Sequence, residues 1–413
     1  MNRLKKNAPG ACLVGLIALL AIGIASGSEA HKSKFQWVAA WGTSPQGLSA
    51  TTLTNQTIRM IVRPTIAGGF VRVRLENTFA TAPLAIGSAS IAYRNNGAQL
   101  VPGSSRPLSF GGSASVTIPG GGGVFTDAVP FVARAWEDVA ISLYVVAGPQ
   151  VSRHGNARKT SYLTAAAAGD HSADETSAAF TSTATEMMLV AAVDVFSDAD
   201  GAIVFLGDSI TDGTGTTTDG HDRWHDVAFV RTLLGSSGPP NRSFVNEGIG
   251  GNRVTVTATQ GSPAAVERLD RDVLARSGIS HVVFFEGTND INSDLVTGDQ
   301  LIAGMQEIIQ RVKARHLKII GATIIPRSSA TWTPLKTQYR HQVNDWIRTQ
   351  ARFDGVYDFD KVMLDPSSPD RMAPHLELGD GTHPNPYGYL LIGRSMNLAL
   401  LGIDSGGGHG DDD

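Results

Sequence analysis

The sequence predicts two architectures in tandem: an antiparallel β-sandwich or jelly roll, then an α/β unit on a parallel sheet. Three observations predict it. From about Phe35 to Val195, apolar residues recur at every second position. From about Asp200 the rhythm becomes strand, loop, helix. At 413 residues, the chain also exceeds what one hydrophobic core usually serves.

The chain opens with a segment that belongs to neither half. Arg3, Lys5 and Lys6 form a basic start, and Ala11 to Ala25 is an apolar run too short to span a bilayer as a helix. Ser28-Glu29-Ala30 then has the small-x-small form of a cleavage site. Residues 1–30 are therefore expected to be a cleaved signal peptide. That implies a secreted or periplasmic protein with no stable membrane insertion after cleavage. The single cysteine, Cys12, would leave with the signal, and the mature chain would have neither disulfide nor thiol nucleophile. An apolar content of 42% argues for a folded globule. A formal net charge of -4, with no long basic run, gives no electrostatic case for nucleic acid. The sequence leaves the oligomeric state open.

Residues 31–198 are expected to form the β-rich accessory domain. "IRMIVR" puts Ile58, Met60 and Val62 on one face and two arginines on the other. "FVRVRLE" alternates Val71, Val73 and Leu75 with Arg72, Arg74 and Glu76. Similar runs are "LAIGSASIAY", "SVTIP", "DVAISLYVV" and "MMLVAAVDVF", separated by turn clusters such as "PGGGG".

Residues 199–402 are expected to form the α/β domain. Its strand candidates are Ile203–Leu206, Ser243–Asn246, His281–Glu286, Lys318–Ile325 and Val356–Phe359. Between them lie helical patterns. One is expected to start at Ser262 and Pro263, with Val266, Leu269 and Val273 on one face. The next carries Leu301, Ile302, Met305, Ile308, Ile309 and Val312, and a third Tyr339, Val343, Trp346 and Ile347. The last follows Pro386 and is expected to run through Leu398. Alternating strands and helices mean crossover units and a parallel sheet covered on both faces. The Gly- and Asp-rich tail, 403–413, is expected to be disordered.

An open parallel sheet builds its site beyond the carboxyl ends of its strands. After the first strand comes "GDSITDG", after the second "NEGIGGNR", after the third "GTND", and before the last helix "GDGTHPN". These loops contain what acyl transfer needs. A serine hydroxyl is a poor nucleophile near neutral pH, so a neutral histidine must take its proton. Ser209 and His383 are the candidates, and Asp380, three residues earlier, can fix the imidazole through Nδ1. The oxyanion needs preorganised N–H groups. The backbone amides of Ser209 and Gly251 and the side-chain amide of Asn289 could supply them.

These four blocks resemble the SGNH family of serine hydrolases, the GDSL esterases. "GDSIT" matches the first block, "NEGIGG" the second, "GTND" the third and "DGTH" the last. The resemblance covers about Asp200 to Leu401. It implies a flavodoxin-like three-layer α/β/α domain that hydrolyses esters, thioesters or carbohydrate acetyl groups without a metal or other cofactor. It also implies Ser209 as nucleophile, Gly251 and Asn289 as oxyanion donors, and His383 with Asp380 as base and orienter. "SIT" stands where the family's short name has a leucine. "WVAAWGTSPQ" is similar to the β-rich extension of some secreted members. The expected substrate is a small-molecule or polysaccharide ester.

Several residues have competing readings. Read singly, Ser209 is a turn serine, Gly251 a loop glycine and Asn289 a helix cap; their coincidence at one sheet edge favours catalysis. Gly250 is the weaker oxyanion candidate. Asp208 reads as structural, and Asp212 and Asp290 as loop and capping acids. His154, His281, His316 and His341 read as surface or core packing. His375, Glu377, Trp332, Asn252 and Arg253 are weighed as pocket residues. Two other functions compete with this reading. One is metal-assisted phosphoester hydrolysis through Asp208, Asp212, Asp290 and His383. The other is non-catalytic carbohydrate binding by the front half. There is no GxSxG elbow and no Gly-Lys dipeptide for a P-loop.

Overall fold

The computed structural model describes residues 35–235, 238–258 and 262–403. The expected signal peptide with Cys12, and the tail beyond residue 403, lie outside them.

The front half forms two antiparallel sheets. One is built from Gln36–Gly42, Val190–Ser197 and Gly68–Glu76, with Gly123–Phe125 and Val129–Ala133 alongside. The other has nine strands and centres on Gly47–Val62, Val139–His154 and Leu84–Asn96. The period-two pattern explains the packing: Ile58, Met60 and Val62 of one sheet share a buried cluster with Val71, Val73 and Leu75 of the other. Arg59, on the opposite face, is fully buried as well. Its guanidinium donates to Ser142 Oγ at 2.8 Å and to the Ala98 and Asp174 carbonyls, so each of its nitrogens has a partner.

The back half is a parallel sheet of β1 (Gly201–Gly207), β2 (Arg242–Gly248), β3 (Ile279–Phe285), β4 (Lys318–Ala322) and β5 (Gly355–Tyr357). Its order is 2-1-3-4-5, that of flavodoxin-like folds. Its helices are α1 (Ser209–Asp212), α2 (Trp224–Gly235), α3 (Ala265–Leu269), α4 (Thr288–Asn292), α5 (Gly298–Ala314), α6 (Pro334–Thr349), α7 (Phe359–Met363) and α8 (Pro386–Ser395). Alternate strand residues face opposite layers. Val204, Leu206, Val282 and Phe284 pack with α3, α5 and α6. Ile203, Phe205, Val283 and Phe285 pack with α2, α7 and α8. This is the expected three-layer arrangement.

Local boundaries depart from the sequence pattern for identifiable reasons. The expected fourth strand stops at Ala322 rather than Ile325. Beyond it, buried Asn344 of α6 takes the strand partner's place, accepting from Ile324 N at 2.7 Å and donating to Ile324 O at 2.8 Å. Phe359 starts α7 instead of ending β5. The helix expected at Ser262 starts at Ala265, because Glu267 reaches back to Ala264 N at 3.0 Å and caps there. Its buried face is also different: Arg268 and Asp272 lie inside with Leu269 and Val273, while Val266 is only partly buried. Leu398 belongs to a separate short turn, since the chain is extended at Met396 and Asn397 caps anew through Ala399 N at 3.1 Å.

The β2 strand is an edge of the parallel sheet, and the front half covers it. Thr65 Oγ1 accepts from Phe244 N at 2.9 Å and donates to Phe244 O at 3.2 Å. Ser243 Oγ donates to Ala39 O at 2.5 Å. An open edge with unpaired amides invites association with other chains, and here it is closed from within the molecule. Val38, Val195 and Ala199 share one hydrophobic cluster with Ala202 and Val245, so apolar packing runs unbroken between the halves. Urea unfolding should therefore be a single transition, with tryptophan fluorescence and far-UV circular dichroism coinciding. Two separated transitions would contradict the shared core.

Candidate active site

The site begins where β1 stops. Asp208 is extended (φ -97°, ψ -151°) and caps α1, its side chain accepting from Ile210 N at 2.9 Å. Ser209 thus opens a four-residue helix that Gly213 ends in a left-handed conformation (φ 109°). β2 passes close beneath: a β-carbon on Gly248 would lie 2.3 Å from Asp212 N, so only glycine fits. The expectation that Asp208 is structural agrees with its capping bond.

The structure brings Ser209, His383 and Asp380 together. Ser209 Oγ lies 2.9 Å from His383 Nε2, and His383 Nδ1 lies 2.5 Å from Asp380 Oδ2. The other carboxylate oxygen accepts from the amides of His383 at 2.8 Å and Thr382 at 2.9 Å. A carboxylate accepts, so Nδ1 carries the hydrogen and the Nε2 lone pair faces the serine hydroxyl. Burial works to raise Asp380, but its bonds to the His383 ring and to these two amides outweigh it and hold the acid below its ordinary value. Glu377, weighed above as a pocket residue, instead shapes this loop by accepting from Gly379 N at 2.8 Å and Gly381 N at 2.5 Å. Asn385 caps α8 through Gly388 N at 2.9 Å and so fixes where the His383 loop ends. The His375 ring stands beside Tyr387, centroids 6.2 Å apart.

The second and third loops are joined to each other. Gly251 has φ 74°, a backbone conformation that side chains resist. Asn289, the second residue of α4, donates through Nδ2 to Asn252 O at 3.0 Å, which uses one amide hydrogen and leaves the other. The cap of α4 is Gly287, so Asn289 is not the capping residue. Asp290 is not a cap either. It accepts from Val254 N at 2.8 Å and from Thr255 N at 3.1 Å, tying the second loop to α4.

The GDSL-like Lipase/Acylhydrolase family model matches residues 205–391. That span is similar to GDSL-like acylhydrolases. Solved structures with a similar fold include a candidate arylesterase from Agrobacterium tumefaciens, 20% identical over 49% of this chain and 99% of that one, with a TM-score of 0.39. A member of the lipolytic protein G-D-S-L family from Veillonella parvula is 20% identical over 47% of this chain and 94% of that one, TM-score 0.36. A GDSL-like lipase from Bacteroides thetaiotaomicron is 20% identical over 49% and 88%, TM-score 0.36. No curated protein matches the chain.

Beneath this site lies a residue that no motif marks. Arg268 is 1% exposed. It donates to Gly207 O at 3.0 Å, Glu247 O at 2.7 Å, Asn252 Oδ1 at 2.8 Å and Ser44 Oγ at 3.0 Å, and pairs with Asp272 at 3.3 Å. One guanidinium thus fastens the ends of β1 and β2, the Asn252 loop and the front half. Asn252, weighed as a substrate contact, is fully buried in this network. Arg327 is a second residue outside the motifs: its Nη1 lies 3.4 Å from Asn289 Oδ1, and its guanidinium stands 5.4 Å from the Trp332 ring centre. Trp332 is therefore a packing partner of Arg327. Burial raises the acids of this floor. Asp208 is pushed up to about 7, and Glu286, whose carboxylate oxygens have no partner, well above the ordinary range. Asp208, Asp212 and Asp290 have separate partners, and among the described residues no three His, Cys, Asp or Glu side chains gather as metal ligands.

Replacing Arg268 with Met leaves buried acceptors and Asp272 without their shared donor. The expected loss is about 3–5 kcal/mol, read from the urea midpoint at unchanged slope. A loss below about 1 kcal/mol would show that the hub is dispensable.

Proposed function

We propose that the protein is a secreted serine ester hydrolase that works through an acyl-enzyme on Ser209. One observation carries the reading: the 2.9 Å contact of Ser209 Oγ with a histidine whose other nitrogen is bonded to Asp380. His383 Nε2 takes the hydroxyl proton as Oγ attacks the ester carbonyl. The oxyanion is received by the amides of Ser209 and Gly251 and the remaining Nδ2 hydrogen of Asn289. Ser209 suits this because the first amides of a helix have no partner inside it. Collapse expels the alkoxide, which His383 protonates. The same base then activates water, and the acid is released. No cofactor takes part in these steps.

The substrate class is carboxylic esters, with acetyl groups of carbohydrates as one candidate. Leu378 is 44% exposed on the loop that holds His383, giving the site an apolar flank for a short acyl or aryl group. Export rests on the basic start, apolar run and cleavage site of residues 1–30. A chain-length series of nitrophenyl esters, run beside acetyl release from xylan and pectin, separates the substrate classes.

Ser209→Ala should lower kcat on an activated short-chain ester by about 10⁴–10⁶-fold. Retained turnover would refute the assignment.

A further inference from the structure

The front half sends one titratable side chain beneath the Ser209 turn. His154 ends the strand Val139–His154 and is 2% exposed. Its Nδ1 lies 2.8 Å from the Ser44 carbonyl, and its Nε2 lies 3.0 Å from Asp212 Oδ1. A carbonyl only accepts, and a carboxylate accepts, so both ring nitrogens donate. The ring that satisfies both contacts is an imidazolium. Burial opposes that cation, but the Asp212 charge, the bond to it and the Ser44 carbonyl outweigh burial and hold His154 above the ordinary histidine value.

Asp212 is the last residue of α1, three positions after Ser209, and its amide donates to Asp208 O at 2.9 Å. The next two amides, of Gly213 and Thr214, both donate to Ser209 O at 2.9 Å. The Asp212 side chain is thus carried by the residue that closes this short turn, which Tyr389 also holds by donating to Thr214 O at 2.6 Å. Its other charged neighbours are few. Arg223 donates to the Asp212 carbonyl at 2.5 Å. His225 and Asp226 of α2 face it, with Arg63, Lys159 and His221 across a cavity of about 70 Å³. Burial pushes both His221 and His225 down to about 4, so near neutrality they carry no charge. Lys159 and Arg63 are engaged by Asp138 at 2.9 and 2.7 Å. The cation in contact with the Asp212 carboxylate is His154.

We propose that His154 is a positioning residue for Ser209: the front half holds the Ser209 turn through an imidazolium–Asp212 pair, which couples turnover to a proton remote from the reacting atoms. The inference rests on the ester-hydrolase reading. The direction of the pH effect follows from linkage. A histidine raised in the folded state stabilises below its unfolded value and loses that contribution as pH climbs through the folded one. Above it the neutral ring, still donating to Ser44, turns the Nε2 lone pair toward a carboxylate. The contact becomes repulsive and the turn shifts. Turnover should therefore decline on the alkaline side, with KM little changed because His154 touches no substrate.

The test is kcat and KM against pH on nitrophenyl acetate, using the full chain as wild type, His154→Ala, Asp212→Asn and the double variant. Asp212→Asn presents an amide N–H to the neutral ring, so its alkaline decline should vanish. His154→Ala should lose about 10–100-fold in kcat, with KM within about twofold. The double variant should be no slower than His154→Ala. Wild-type kcat in folded His154→Ala, or an unchanged alkaline decline in Asp212→Asn, would overturn the proposal. If His154→Ala does not fold by circular dichroism, the near-isosteric Asp212→Asn profile decides alone. Ser209→Ala separates the two claims. Turnover surviving it removes the hydrolase reading. An inactive Ser209→Ala beside an unaffected His154→Ala removes only this inference.

Discussion

The buried guanidinium of Arg268 is the constraint on which the site depends. Catalytic loops at a sheet edge come from distant parts of the chain, and each loop backbone leaves carbonyls pointing inward. Arg268 collects those of Gly207 and Glu247, the Asn252 side chain and the Ser44 hydroxyl at one point. A planar fork of five donors suits such a task as a lysine would not. Its charge is balanced by Asp272 one helical turn later, so the pair is buried without an isolated charge. The ends of β1 and β2 and the loop carrying Asn252 are thereby held at one point, and Asn252 O passes the tie on to Asn289 Nδ2 at 3.0 Å.

The same network joins the β-rich half to the α/β half. The edge strand β2 has its backbone met by Thr65, and the Thr43–Ser44 stretch reaches the underside of the site. Arg276 donates to Glu247 at 2.7 Å and to Thr43 O at 3.2 Å, adding a second bridge beside Arg268. Front and back are thus joined by apolar packing at the edge and by charge-assisted bonds beneath the site. A binding module on a linker needs neither. The arrangement favours a front half that supports the site.

Much of this was legible in the sequence because it is local. The strand-to-loop changes at Leu206, Asn246, Glu286 and the "DGTH" turn marked the sheet edge, and period-two runs marked the sandwich. Asp380 and His383 were legible from their spacing of three, and Ser209 from the loop that ends β1; the structure brings the three together. What escaped is non-local. Arg268 sits in a stretch whose apolar residues suggest a Val266–Leu269–Val273 face, and only the Asp272 pairing at i,i+4 hints that the arginine goes inside. His154 is 58 positions from Asp212 and ends a strand with no motif around it. Strand order in the sandwich likewise depends on long-range pairing that turn residues mark but do not select.

A covalent intermediate on Ser209, formed with His383 as base, is the step proposed for this site. Peptide mass spectrometry of enzyme quenched during turnover of a slowly deacylating ester reads it directly. An acyl adduct is expected on the peptide carrying Ser209, absent when His383 is replaced by alanine. An adduct on another residue, or steady turnover with Ser209 unmodified at every quench time, would contradict it.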